Sequence, residues 1–151
     1  MFHKKTLAII TTIIITLLAI SIAIAGKVYE YKEKMISKDG RDQITLSKGT
    51  KVIFPSKCVS EDTLVSVERN TTDSKKVEFF FEPHGLQFSK PVEIKLSWAS
   101  LKDVEAEDLI LYYYDDEIGQ WVEETKAVWE NNSKHCQLQI DHFSSYYYSR
   151  R

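Results

Sequence analysis

The residues best suited to chemistry in this chain are His142 and Ser144, which flank Phe143 near the C-terminus. A histidine can take the proton of a serine hydroxyl, and the serine oxygen can then attack a carbonyl group. The segment from Cys136 to Tyr146 alternates as a β-strand does, so we expect both side chains on one strand face. Residues two apart in a regular strand are separated by roughly 6.6 Å, which is too far for a hydrogen bond. Catalysis would therefore need a kinked strand with strain at the peptide bond, together with a donor for the oxyanion.

The N-terminus carries a membrane-targeting segment. Thr6 to Ala25 contains no charge and is rich in Ile, Leu and Ala, and it is long enough to cross a bilayer as a helix. Lys4 and Lys5 are expected to stay cytoplasmic, so the rest of the chain would lie outside. The residues before Gly26 also match a signal-peptidase site. Residues 1–25 are thus either an uncleaved anchor, giving a single-pass membrane protein, or a removed signal peptide, giving a secreted one.

The two cysteines, Cys58 and Cys136, gain interest in an exported chain. An even cysteine count outside the cytoplasm permits a disulfide, and closing this loop would stabilise the fold by roughly 4 kcal/mol. The alternative is two buried free thiols that pack as small hydrophobic groups. No CxxC or HxxxH spacing accompanies them, so the sequence predicts no metal site here.

Composition and charge limit the domain and its partners. The 151 residues carry 20 basic and 22 acidic side chains, a balance without the basic stripe that nucleic-acid binding requires. Residues 26–41 are charged and lack periodicity, so we interpret them as a stalk or linker. Residues 42–151 then form one domain, large enough to bury a core. We expect no cofactor and no nucleic-acid partner.

From Asp42 onward the hydrophobic pattern has a period of two, as β-strands do. The clearest example is Pro91 to Trp98, where every second residue is apolar. Leu109 to Tyr114 and Gly119 to Glu123 read as a hairpin across an acidic turn. Short strands at this spacing predict an all-β fold, an antiparallel β-sandwich or open barrel, preceded by the single N-terminal helix.

Three further segments lie in a characteristic order with the His142-Phe143-Ser144 strand. Val52 to Thr63 has the pattern of a strand, a turn and a second strand. Phe81 to Val92 has the pattern of a Gly-containing turn that leads into an FxxPV strand start. Leu111 to Trp121 has the pattern of an acidic hairpin that ends in Gly-x-Trp. Together these segments resemble a ZU5-type domain over about 42–148. The resemblance implies a β-sandwich-like module used for protein contacts, and in some relatives the same His-Phe-Ser triplet cuts its own backbone.

The resemblance leaves two interpretations of the triplet. In the first, Ser144 attacks the carbonyl of Phe143 while His142 takes its proton, and water hydrolyses the resulting ester. In the second, which we favour, the triplet closes the edge of the sandwich. We therefore predict a non-enzymatic interaction or structural module at the cell surface, with an unidentified protein partner. A third hypothesis is an envelope assembly or chaperone subunit that lends a strand edge to a partner.

Two smaller features complete the candidates. Asp115, Asp116 and Glu117 have oxygen ligands that suit Ca²⁺, but a solvated hairpin turn is the simpler interpretation. The run from Tyr146 to Tyr148 puts aromatic rings on both faces of a strand, so we expect an exposed ring that can anchor a partner.

Overall fold

The computed structural model describes residues 20–24 and 27–151, and these residues form an all-β fold. The strands in chain order are β1 (Ile20–Ile24), β2 (Lys27–Ile36), β3 (Asp42–Thr45), β4 (Lys51–Phe54), β5 (Thr63–Thr72), β6 (Lys76–Glu82), β7 (Gln87–Ser97), β8 (Leu109–Asp115), β9 (Gln120–Glu123), β10 (Val128–Glu130), β11 (His135–His142) and β12 (Ser145–Arg150). Short 3-10 turns occur at Ser47–Gly49 and Ala106–Asp108.

The strands form two antiparallel sheets. The seven-stranded sheet has the order β1-β2-β5-β6-β12-β8-β9, and the five-stranded sheet has the order β10-β11-β7-β4-β3. Each sheet turns an apolar face toward the other, which is the arrangement of a β-sandwich. The predicted all-β class and antiparallel pairing are confirmed.

Alternating apolar residues build the core from both sheets. Val92, Ile94 and Leu96 of β7 are fully buried, as are Val77, Phe79 and Phe81 of β6. The residues between them on each strand are polar or partly exposed, because successive side chains point to opposite faces of a sheet. The alternation predicted for Pro91 to Trp98 is therefore confirmed.

The predicted stalk at 26–41 is wrong, because Lys27–Ile36 is strand β2. It pairs with β5 over its whole length, from Lys27 opposite Thr72 to Ile36 opposite Thr63. A charged residue at an inward position hides the alternation: Glu30 is buried and lies 3.8 Å from the guanidinium of Arg69, which is also buried. The folded domain therefore begins well before Asp42.

The predicted membrane-targeting helix, Thr6 to Ala25, lies outside the described residues except for Ile20–Ile24. Those five residues form β1, which pairs antiparallel with β2. Within residues 20–24 and 27–151 there is no helix with the length and apolarity needed to cross a bilayer.

Candidate functional site

The His142-Phe143-Ser144 segment is where the chain passes from one sheet to the other. β11 ends at His142 in the five-stranded sheet, and β12 begins at Ser145 in the seven-stranded sheet. The prediction of one continuous strand from Cys136 to Tyr146 is therefore wrong, and so is the strand face that it assigned to both His142 and Ser144. The ladder between β11 and β7 is already irregular between Ile140 and His142.

The two groups that would do the chemistry have different partners. Ser144 is fully buried, and its hydroxyl donates to the carbonyl oxygen of Tyr114 at 2.5 Å. The His142 ring is partly exposed, and its Nδ1 lies 2.6 Å from a carboxylate oxygen of Asp141. The hydrogen bond from His142 holds the pKa of Asp141 below its ordinary value. The serine proton is thus directed at a backbone carbonyl and not at the histidine.

Phe143 is held firmly at the crossing. Its ring is fully buried and packs against the rings of Phe88, Phe81 and Phe54, with centroids 4.9, 5.3 and 6.1 Å away. Its backbone N–H donates to the carbonyl of Leu86 at 2.9 Å. The crossing therefore has a packing role of its own, since one aromatic ring closes the end of the core between the sheets.

The structure also supplies a donor that the sequence did not reveal. The N–H of Gly85 donates to the carbonyl oxygen of Phe143 at 3.0 Å, which is the oxygen that would become an oxyanion if Ser144 attacked. Gly85 has a φ of +73°, a conformation that favours glycine. In the sequence, the signal for this donor is the Pro83-His84-Gly85 turn, because glycine at this position can adopt the positive φ that the donating N–H requires.

Cys58 and Cys136 are both buried free thiols, which is the second of the two alternatives that the sequence left open. The carbonyl of Cys58 accepts from Ser89 near the start of β7, whereas Cys136 lies opposite Leu96 near its end. Seven strand residues span about 23 Å. A disulfide requires Cα atoms roughly 4.4–6.8 Å apart, so these two cannot be joined without unfolding.

The acidic hairpin turn is organised by its own backbone. An oxygen of Asp115 accepts from the N–H groups of Glu117 and Ile118, at 2.9 and 3.3 Å. The carboxylate of Asp116 lies 2.8 Å from the ring of His84. In the part of the chain that the structure describes, no three His, Cys, Asp or Glu side chains are grouped to hold a metal ion.

Four aromatic side chains on the outer face of the seven-stranded sheet form what we call the aromatic surface: Tyr112, Tyr114, Trp121 and Tyr147. Strand register places Tyr147 beside Tyr112 and Tyr114 beside Trp121. Tyr112 and Tyr147 stack with centroids 5.1 Å apart, and Trp121 meets Tyr147 edge-on at 4.7 Å. Trp121 is 41% exposed. Three strands thus combine to present one continuous set of rings toward solvent.

Alternation along β12 separates the tyrosine run into two roles. Tyr146 and Tyr148 are buried in the core, whereas Tyr147 lies on the outer face with its ring partly exposed. The sequence predicted an exposed ring in this run, and the structure shows one that is partly exposed. The sequence does not show that Trp121 and the tyrosines of β8 lie on the same surface as the Tyr147 ring, because it does not reveal the strand order β12-β8-β9.

No protein-family model matches this chain, and no curated protein matches it.

Proposed function

We propose that this chain is a non-enzymatic, ZU5-like protein-interaction module that acts at the cell surface, outside the cytoplasm. The observation that carries the proposal is the aromatic surface. The order of the resembling segments along the chain supports the family, and the apolar run from Thr6 to Ala25 supports the location and an attachment to the membrane.

The aromatic surface has the chemistry of a protein contact. Tyrosine and tryptophan combine a large apolar area with a polar group, and they are enriched among the residues that contribute most to binding. Here their rings are fixed by contact with one another, so little conformational entropy is lost when a partner covers them. They lie on the outer face of a sheet, whereas small-molecule sites are usually enclosed clefts.

The test is saturable binding of the exported, labelled domain to intact cells of its own source. We expect Trp121→Ala and Tyr147→Ala to lower the number of bound molecules at equal concentration. Tyr31→Ala is the matched control, because Tyr31 lies on the same outer face at the far side of the sheet, on β2. Binding that does not saturate, or that all three substitutions reduce equally, would contradict the proposal.

Location and attachment have a separate test, the intact mass of the protein isolated from the cell envelope. A chain that begins at Met1 and sediments with membranes would support the anchor, and a chain that begins at Gly26 in the medium would support secretion. Recovery of the whole chain from the cytoplasm alone would contradict a function at the cell surface.

Self-cleavage between Phe143 and Ser144 is a second candidate, favoured by the hydrogen bond from Gly85 to the Phe143 carbonyl. The Ser144 hydroxyl would turn away from Tyr114, lose its proton to His142 and attack the Phe143 carbonyl. The bond between the carbonyl carbon and the Ser144 nitrogen would then break, and this nitrogen would take the proton from His142. Water would then split the ester, leaving a carboxylate on Phe143 and a free hydroxyl on Ser144.

A denaturing intact mass of the purified protein decides between these candidates. A species that ends at Phe143, absent from the Ser144→Ala variant, would establish cleavage. If the chain stays unbroken on prolonged incubation, the His142-Phe143-Ser144 crossing has a packing role and no cleavage role.

A further inference from the structure

Strand β9 leaves one side of its backbone without a partner among the described residues, because it is the last strand of the seven-stranded sheet. The N–H of Glu124 donates to the carbonyl of Leu111 on β8 at 2.8 Å. Hydrogen-bonding residues alternate in an antiparallel pair, so Val122 also faces β8 with its backbone groups. The N–H and C=O groups of Trp121 and Glu123 then point away from the sheet. They form a short free edge directly beside the aromatic surface.

The two edges of the five-stranded sheet, β3 and β10, are covered or shorter. At β3, the ammonium group of Lys32 donates to the carbonyl of Thr45 at 2.5 Å, and Lys34 pairs with Asp42 at 2.8 Å. Lysine side chains over an edge are a common protection against unwanted pairing. β10 has only three residues. Among these three edges, β9 is therefore the best placed to receive another strand.

The β8–β9 hairpin itself carries charges of one sign. From Leu109 to Glu124 the hairpin carries five carboxylates and neither lysine nor arginine, although the whole chain has a net charge of only −2. The acidic residues are Asp115, Asp116, Glu117, Glu123 and Glu124. If two copies paired through β9, these like charges would be brought together. Repulsion therefore disfavours a second copy, and a positively charged segment is favoured.

We propose that the free edge of β9 receives an extended, basic segment of the partner protein as an additional strand. This inference rests on the proposed interaction function and names its site. The partner backbone would bond to Trp121 and Glu123, its lysine or arginine side chains would lie near the carboxylates, and an apolar side chain would cover the exposed part of Trp121.

The probe is a short synthetic peptide of alternating lysine and valine, added to the isotope-labelled protein. We expect it to slow hydrogen exchange at the amides of Trp121 and Glu123 while leaving the exchange of Val122, which already faces β8, unchanged. Binding should weaken as salt is added, because exposed charges are screened. Two control peptides share the length: one has glutamate for lysine, and the other is N-methylated at every second residue so that it cannot form a ladder.

Matched charge reversals locate the site on the protein. Glu123→Lys should weaken binding of the lysine-valine peptide about fivefold, the size expected for an exposed charge contact. Glu61→Lys makes the same charge change at an exposed residue in the connection before β5, and it should leave binding unchanged.

Several results would overturn the inference. The first is that the glutamate peptide or the N-methylated peptide binds as well as the lysine-valine peptide. The second is that the amides of Trp121 and Glu123 stay unprotected. The others are equal effects of Glu123→Lys and Glu61→Lys, and a dimer that forms through β9. In any of these cases, a cell-binding signal that is still lost in Trp121→Ala would show that the interaction function stands and only the edge assignment fails. If Trp121→Ala leaves the cell-binding signal unchanged, the proposed function has failed as well.

Discussion

At the scale of single residues, the hydroxyl of Tyr148 joins the two sheets. Tyr148 belongs to β12, and its Oη donates to the carbonyl oxygen of Leu96 on β7 at 2.6 Å and lies 3.0 Å from the sulfur of Cys136 on β11. The side chain is fully enclosed, and burial raises its pKa well above the ordinary value. The hydroxyl therefore stays neutral and serves as a hydrogen-bonding group inside the core.

Replacing Tyr148 by phenylalanine should expose the importance of this bond. The Leu96 carbonyl would lose a buried donor, so we expect Tyr148→Phe to lower the free energy of unfolding by about 1–3 kcal/mol. Tyr147→Phe is the control, because Tyr147 lies on the outer face with its ring partly exposed, and it should change the value by no more than about 0.5 kcal/mol. Urea denaturation of both variants measures the difference. Equal effects would show that the hydroxyl of Tyr148 contributes nothing specific.

A second residue, Asp42, links stability to pH. Burial raises the pKa of Asp42, but the hydrogen bonds from Lys34 and from the N–H of Ser37 outweigh this effect and hold the pKa below the ordinary value of 3.8. A carboxyl with a lowered pKa in the folded state stabilises the fold above the ordinary value. This stabilisation is lost as the pH falls through the folded-state value.

Asp42→Asn should therefore cost about 1 kcal/mol near neutral pH, and the cost should shrink once the pH is below 3.8. The free energy of unfolding is measured for both proteins across this range. Glu61→Gln, at an exposed position, serves as the control and should match the parent protein throughout. A cost for Asp42→Asn that does not change with pH would refute the linkage.

At the scale of elements, β2 is the strand that sequence reasoning missed, and its buried face provides the test. Ile36 is fully buried, whereas its neighbour Met35 is 38% exposed on the opposite face. Ile36→Ala should lower the free energy of unfolding by about 2–5 kcal/mol, because it leaves a cavity in the core. Met35→Ala should stay within about 0.5 kcal/mol. If chemical denaturation finds both variants as stable as the parent, β2 does not belong to the cooperative fold.

What the sequence could and could not predict follows from the same physics. β4, β6, β7 and the β8–β9 hairpin were predictable, because each alternates apolar and polar residues between clear turn signals. β2 escaped because Glu30 occupies an inward position, where it meets Arg69 from a strand distant in sequence. A pattern of apolar residues alone cannot show a buried ion pair.

The site illustrates a second limit. The His142-Phe143-Ser144 triplet is visible in the sequence, but the alternation around it predicts a single strand through a point where the chain changes sheets. The free edge of β9 depends on strand order, and so does the aromatic surface. Both are set by which strands become neighbours, which is long-range information that no local motif contains.

At the scale of the whole molecule, the two thiols report how the sandwich opens. Cys136 lies between the sheets, and burial raises its pKa to about 12, so it is both inaccessible and protonated in the folded protein. Cys58 is also buried, but it lies in the connection between β4 and β5, outside both sheets. A connection can open locally, whereas exposing Cys136 requires the sheets to separate.

We therefore expect the Cys58→Ala variant, whose single thiol is Cys136, to react with an alkylating reagent only through global unfolding. The opening free energy derived from its labelling rate should equal the free energy of unfolding from urea denaturation of the same variant. In Cys136→Ala, the remaining Cys58 should react through a smaller opening, with a free energy below the global value for that variant. If Cys136 instead reacts faster than global unfolding allows, the two sheets separate while each stays folded, and the sandwich is not a single cooperative unit.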